Sequence, residues 1–376
     1  MVGETGRNRG LMECLRMLGP VAQGGNVRST VRYNPSMIRV RRVVPALLVL
    51  AAWLLCSGGC GPLTLTIGGA ADDPLTSTVV ESEGGFRPQR VAVIDVSGML
   101  FNARRREILS IGENPAGLLY EKLEKARTDK RVKAVLLRLN TPGGTVTASD
   151  TMYRQLLRFK QRSGKPIVAL MMDVAASGGY YLACAADRIV AHPTTVTGSI
   201  GVIVQTISFK PALGRIGIEA EAITSGRNKD AGSPLSKLTD EHRQVLRSLV
   251  DDFYQGFLDV VLRARPDIPA DQFAQVTDGR ILSGEAAHSA GLVDSVGDLH
   301  DAFKLAKQLA GIDQADLVMY HRPAHAVRSP HAAVPGPIPH VTQINLAQIN
   351  LDQSFPGVSA GFFYLWRMDA AGGAGR

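Results

Sequence analysis

The sequence predicts an α/β fold whose mainly parallel sheet is covered by helices on both faces. Three observations lead there: continuous apolar runs of strand length, amphipathic helix patterns between them, and Gly- or Pro-rich turns directly after the runs. Residues 90–96 (RVAVIDV) form the first strand. Residues 115–128 follow as a helix with Leu118, Leu119, Leu123 and Ala126 on one face, and 132–139 (VKAVLLRL) as a strand apolar enough to be buried. A loop at 140–145, a helix over 149–162 and a strand at 166–172 come next, then a helix opening after Ser177 and strands near 188–191 and 199–205. A further strand is expected at 219–224. Residues 239–265 read as one long helix, with Val245, Leu249, Phe253, Phe257 and Val260 recurring at three- and four-residue spacing, ended before Pro266. Shorter helices fill 268–310, and the strand–helix alternation implies right-handed βαβ crossovers.

Length and composition bound the rest. The 376 residues exceed what one ordinary core needs, so a large domain with appendages, or two domains, is the starting expectation. With 45% hydrophobic and 20% charged residues in mixed order, disordered, collagen-like and polytopic membrane chains are excluded. The formal charge of +8 is misleading, because residues 1–42 hold eight arginines against Glu4 and Glu13 and so carry +6 of it. A nucleic-acid-binding domain would keep its excess charge in the folded part. Three of the four cysteines (Cys14, Cys56 and Cys60) precede residue 61, which leaves Cys184 alone in the body, too few for a disulfide framework or a metal cluster.

Residues 43–55 (VVPALLVLAAWLL) follow Arg39, Arg41 and Arg42 and precede Cys-Ser-Gly-Gly-Cys, the layout of a signal segment or short anchor over 37–60. The run 57–60 resembles a bacterial lipoprotein box with Cys60 as the lipidated residue, although Ser57 stands where Leu is usual. Residues 1–36 read as a misassigned start or a cytoplasmic tail. Lipidation or an uncleaved anchor would hold the body at the membrane, and these two, like plain secretion, all place it outside the cytoplasm. Residues 61–88, rich in Gly, Thr, Ser, Asp and Pro, read as a linker, and 313–376 as a C-terminal extension. Within it, 313–356 is expected to be a linker or loose arm, and 359–366 (SAGFFYLW) a late apolar strand-like piece.

Three local signals carry chemistry. Asn140-Thr141-Pro142-Gly143-Gly144 follows the most hydrophobic strand, where glycines free backbone N–H groups to face a crevice and to form half of an oxyanion hole. The same residues would also make an ordinary strand-to-helix turn. Ala176-Ser177-Gly178-Gly179-Tyr180-Tyr181 again follows a strand and opens a helix, so Ser177 is either a nucleophile at the positive end of a helix dipole or simply an N-cap. Lys229 lies in the polar loop 225–234 and is either a general base or a solvated side chain. His192 is a competing base that more plainly turns the chain into Pro193, and Cys184 reads as a small core residue.

Taken together, Asn-Thr-Pro-Gly-Gly (140–144), Ala-Ser-Gly-Gly-Tyr-Tyr (176–181), Ala-Asp-Arg-Ile-Val-Ala (186–191), Thr-Gly-Ser-Ile-Gly-Val (197–202) and Lys-Asp…Ser-Pro (229–234) resemble the signal peptide peptidase A family, in its short, single-repeat bacterial form. The resemblance implies a Clp protease/crotonase-like fold of repeated β-β-α and βαβ units over about 89–312. It implies a Ser/Lys dyad of Ser177 as nucleophile and Lys229, 52 residues downstream, as general base, with Ser199 orienting the lysine. It also implies an oxyanion hole from the amides of Gly144 and Gly178, Tyr180 in the substrate cleft, no metal and no cofactor. Homo-oligomeric rings or domes, in which neighbouring subunits share the dyad, are implied as well. Thr141 stands where the family more often has Ser. The expected activity is an envelope-anchored serine endopeptidase acting on released signal peptides and other short hydrophobic peptides. Two readings compete with it, a crotonase-like acyl-CoA enzyme that needs neither Ser177 nor Lys229, and a catalytically silent scaffold binding membrane proteins.

Overall fold

Residues 73–103, 113–325, 327–332 and 362–366 are described by the computed structural model. In chain order they form β1 (Thr76–Ser82), β2 (Gln89–Ser97), α1 (Pro115–Thr128), β3 (Val132–Thr141), β4 (Gly143–Thr145), α2 (Val146–Ser163), β5 (Ile167–Ala176), α3 (Gly178–Ala183), β6 (Arg188–Ala191), β7 (Val196–Gly198) and β8 (Ile203–Val204). Then come α4 (Lys210–Arg215), α5 (Asp240–Ala264), α6 (Ala270–Val276), β9 (Ile281–Ser283), α7 (Gly284–Ser289), β10 (Ser295–Val296), α8 (Leu299–Ala310), β11 (Ala315–His321) and β12 (Phe362–Leu365).

The main sheet runs β1-β11-β2-β3-β5-β6-β10. Every pairing in that order is parallel except the antiparallel edge strand β1, which lies on β11. Parallel strands must be covered on both faces, and they are. One face packs Leu119, Leu123, Met152, Leu156, Tyr180 and Phe257 over Ile94, Leu137 and Ala169. The other packs Leu299, Ala302, Phe303 and Ala306 of α8 over Val91, Leu136 and Leu170. Helix α1 has the predicted boundaries because Asn114 caps it, accepting from Ala116 N and Gly117 N, with Pro115 at the first position where no N–H is needed. Arg138 of β3 pairs with Asp95 of β2 at 2.5 Å, both about 7% exposed, and donates further to Pro330 O and Ala332 O. That pins residues 330–332 to the sheet.

Four expectations need correction. The linker over 61–88 contains β1, and the loose arm from 313 contains β11, buried at every position between β1 and β2. The sheet therefore extends beyond 89–312 at both ends. The strand expected at 219–224 is exposed coil with Ile223 wholly in solvent, and the one expected at 199–205 is reduced to β8 after a sharp turn at Ser199. The leader expected at 37–60 lies outside the described residues. Among the described residues no helix is long and apolar enough to cross a membrane.

Candidate active site

Strand β5 ends at Ala176 and the chain turns at once into α3. The hinge is Ser177, at φ 54 and ψ −115. A residue with a side chain held in such a region costs about 1–3 kcal/mol and persists only where its surroundings enforce it. Here they do: Ser177 N–H donates to Gly198 O (2.8 Å), Tyr181 N–H donates to Ser177 O (2.9 Å), and β7 runs parallel to β5 with Gly198 opposite Ala176. Ser177 is 1% exposed, and among the described residues its enclosed Oγ has no hydrogen-bond partner. It makes no capping bond to α3, so the N-cap reading fails.

Glycines close the facing wall. Gly143 has φ 98, and a Cβ on it would overlap Tyr364 O and lie 2.7 Å from Gly178 N. One on Gly178 would lie 2.5 Å from Ser149 Oγ and 3.0 Å from Tyr364 O. Only glycine permits this approach of backbone to backbone. On its other side β4 is held by Leu100, whose N–H donates to Gly143 O (2.9 Å) and whose carbonyl accepts from Thr145 N (3.0 Å).

The wall is not empty. β12 lies between β4 and β8, antiparallel to both, with Tyr364 opposite Gly144, Leu365 opposite Gly143, and Phe363 opposite both Thr145 and Ile203. Trp366 N–H donates to Pro142 O (2.8 Å). Hydrogen-bonded and non-bonded pairs alternate along an antiparallel ladder, so two residues on, Gly144 and Tyr364 are also a bonded pair. The Gly144 amide thus faces the Tyr364 carbonyl. The Tyr364 ring is 2% exposed, stacked on Tyr181 (centroids 5.1 Å) and tilted against Phe257 (4.6 Å), with its hydroxyl donating to Phe253 O (2.8 Å). Burial pushes both the Tyr181 and the Tyr364 phenols above their ordinary range.

Ser199 lies beside Ser177 in space: it follows Gly198, sits at φ 50, and its N–H donates to Arg280 O (2.6 Å). Lys229 does not join them. It is exposed, on a turn closed by Lys229 N–H to Gly226 O (3.1 Å), and makes no hydrogen bond to the unpartnered Ser177 Oγ. Its loop is tied to the start of α5, where the buried His242 donates through Nε2 to Arg227 O (2.8 Å) and Asn228 Nδ2 donates to Glu241 Oε1 (3.0 Å). A hydrogen bond from Ser236, against some opposing burial, holds the neighbouring Asp230 carboxyl below its ordinary range.

Tyr180 is corrected. It is fully buried, its hydroxyl donates to Leu292 O (2.8 Å), and it is a core residue; Tyr181 faces the cleft instead. His192 is exposed and engaged with Thr194 Oγ1 (2.8 Å), far from the role of a base for Ser177. Burial pushes the Cys184 thiol up to about 12, which makes it a packing residue. Cys60 lies outside the described residues. Sequence reasoning missed Tyr181, Phe257 and His242, whose spacing reads as ordinary helix packing. It also saw β12 only as a strand-like piece, with nothing to say where it docks.

Fold and site together define an α/β protein of the Clp/crotonase kind with a serine raised on a strand-to-helix elbow. The profile of peptidase family S49 matches residues 159–313, a span that holds Ser177, Ser199 and Lys229. The serine protease SPPA of Arabidopsis thaliana chloroplasts is 38% identical over 210 residues, 55% of this chain and 31% of that one. A relative from Enterococcus faecium named for signal peptide peptidase SppA is 31% identical over 238 residues, covering 63% of this chain and 69% of its own. A protease-named relative from Synechocystis is 34% identical over 226 residues, covering 60% and 76% respectively. The chain belongs to peptidase family S49. It matches under a third of the length of the chloroplast relative.

Proposed function

We propose that the protein is a serine endopeptidase in which Ser177 attacks a peptide carbonyl and Lys229 of a neighbouring copy takes the hydroxyl proton. The observation that carries this reading is the unpartnered, buried Ser177 Oγ on a strained elbow next to the Gly143–Gly144 wall. The amides of Gly144 and Gly178 then hold the developing oxyanion. The acyl-enzyme that forms when the amine leaves is hydrolysed by water, with the same lysine as base. Ser199 orients that lysine.

Sharing the dyad between subunits is favoured by what a single chain lacks. Lys229 is exposed and apart from Ser177, and the stretch around it exposes apolar side chains that a solitary chain would hide: Phe209, Ile216, Ile218, Leu235, Val245 and Leu249. Such a surface fits self-association. A head-to-tail ring brings one copy's Lys229 loop to the next copy's Ser177. The aromatic pocket of Tyr181 and Phe257 favours apolar peptides, among them released signal peptides, and the leader at 37–60, with Cys60 as lipid attachment point, holds the enzyme at a membrane outside the cytoplasm. The test is cleavage of a fluorogenic apolar peptide by wild type, Ser177→Ala and Lys229→Ala across pH, with oligomer size recorded. Both variants are expected to assemble and to lose activity; an active Lys229→Ala enzyme would remove the lysine from the mechanism.

A further inference from the structure

The structure assigns His242 the role of a positioning residue, one that holds the Lys229 loop so that the lysine meets its serine at a fixed reach. This rests on the serine–lysine reading above and names the group that fixes its base.

A lysine on a loop serves poorly as a base unless its backbone is held, since a misplacement of about 1 Å costs on the order of 10²-fold in rate. Residues 225–234 (SGRNKDAGSP) contain no helix or strand. The bonds that shape them are local turns: Lys229 N–H donates to Gly226 O (3.1 Å), Ala231 N–H to Asn228 O (3.3 Å) and Ser233 N–H to Asp230 O (2.9 Å). Such bonds give the loop its form but do not attach it to the body.

Attachment comes from the first turn of α5. His242 Nε2 donates to Arg227 O (2.8 Å) and lies 3.6 Å from Asp230 Oδ1, so one ring meets the chain on both sides of Lys229. The neighbouring contacts lie at the surface. Asn228 Nδ2 donates to Glu241 Oε1 (3.0 Å), and Arg227 and Glu241 stand 3.6 Å apart with side chains 81% and 46% exposed. An exposed ion pair of that kind contributes about 0–1 kcal/mol. His242 is 4% exposed, and a bond made by a buried donor is costly to break.

The histidine is itself fixed. Thr239 caps α5, and its Oγ1 accepts from His242 N–H (3.1 Å), which sets the backbone of this third helical residue. In a capping box that position carries Glu or Gln turned back to the cap; here the side chain turns to the Lys229 loop instead. Donation to Arg227 O puts the ring proton on Nε2, and the enclosed Nδ1 has no hydrogen-bond partner among the described residues. A buried ring with one nitrogen unpaired is a worse choice for stability than an aliphatic side chain. Stability therefore does not account for a histidine here. Among the described residues its one side-chain hydrogen bond goes to the loop that carries the base.

The experiment measures kcat and KM on a fluorogenic apolar peptide for full-length oligomers of wild type, His242→Leu, His242→Asn, His242→Gln and Lys229→Ala, with thermal midpoint and oligomer size recorded. A Gln amide N–H lies at the reach of imidazole Nε2, an Asn amide N–H only at that of Nδ1. His242→Leu and His242→Asn are expected to lose about 10–100-fold in kcat with KM little changed, because the substrate pocket is untouched. His242→Gln is expected to recover most of that loss. If His242→Leu does not assemble, the comparison of Gln with Asn decides. An assembled Leu or Asn variant with wild-type kcat, a loss that falls in KM, or a Gln variant as slow as Asn overturns the inference, while a silent Lys229→Ala leaves the serine–lysine reading standing. An active Lys229→Ala enzyme sinks that reading and this inference with it.

Discussion

Replacing Ser177 by alanine or glycine is expected to stabilise the protein while removing its activity. Two costs are written into this residue. Its Oγ is buried with no partner among the described residues, and such an orphan costs about 1–3 kcal/mol. Its φ of 54 with ψ −115 adds about 1–3 kcal/mol of backbone strain. Ser177→Ala removes the first cost and keeps the second, for a gain of about 1 kcal/mol or more. Ser177→Gly removes both, against roughly 0.5–1 kcal/mol lost to the flexibility of glycine in the unfolded chain. The order of stability is therefore Gly, then Ala, then Ser. Thermal unfolding followed by circular dichroism reads it, with a shift in midpoint of about 2–4 °C per kcal/mol for a domain of this size. An N-terminal cap behaves oppositely, losing about 1 kcal/mol on Ser→Ala. If both variants are less stable than wild type, the hydroxyl has a structural partner and the argument that it is free to react fails.

Gly143→Ala should abolish peptide cleavage and also lower stability, because its Cβ would meet the Tyr364 carbonyl and the Gly178 amide at a φ of 98; full activity in this variant would remove the glycine wall from the site. Asp95→Asn leaves the buried Arg138 guanidinium without its carboxylate partner, and loss of one member of a buried pair costs about 3–5 kcal/mol, measurable by denaturant unfolding. Burial alone would raise the Asp294 carboxyl, but the hydrogen bonds from Arg265 (2.9 Å) and Ile189 N (2.7 Å) outweigh it and hold its pKa below the ordinary range. A depressed folded value contributes stability that is complete above the unfolded pKa of about 3.9 and is lost as pH falls through the folded one. The stability gap between wild type and Asp294→Asn should accordingly be widest at neutral pH and close on acidification; a gap that widens in acid would contradict the assignment.

The central strands were legible because parallel strands buried on both faces must be apolar without interruption, as in 90–96 and 132–139. α1 was legible to the residue because Asn114 and Pro115 announce its start. β1 was missed because TSTVVES is an edge strand whose Ser and Thr composition is that of a linker, and only its partner β11 makes it a strand. β11 lies next to Pro- and His-rich sequence, so its apolar run carried no local context. The alternating stretch 219–224 has strand periodicity but no partner, and periodicity without pairing leaves coil. At the site, motif order marked Ser177 and its glycines, because tight turns demand particular residues. Tyr180 and Tyr181 are adjacent and chemically alike, and which one faces the cleft depends on the helical phase set by Ser177 at positive φ, invisible in the sequence. The docking of Phe362–Leu365 between β4 and β8 is a contact across more than a hundred residues and has no local signature.

The most direct test of the central claim is to co-express Ser177→Ala and Lys229→Ala chains in equal amount and assay the mixed oligomer for cleavage of an apolar peptide. Each variant alone is silent in this account. In a head-to-tail ring a site takes its serine from one copy and its lysine from the next, so random mixing restores about a quarter of wild-type activity. A mixed oligomer that assembles and stays as silent as its parents would contradict a dyad shared between Ser177 and a neighbour's Lys229.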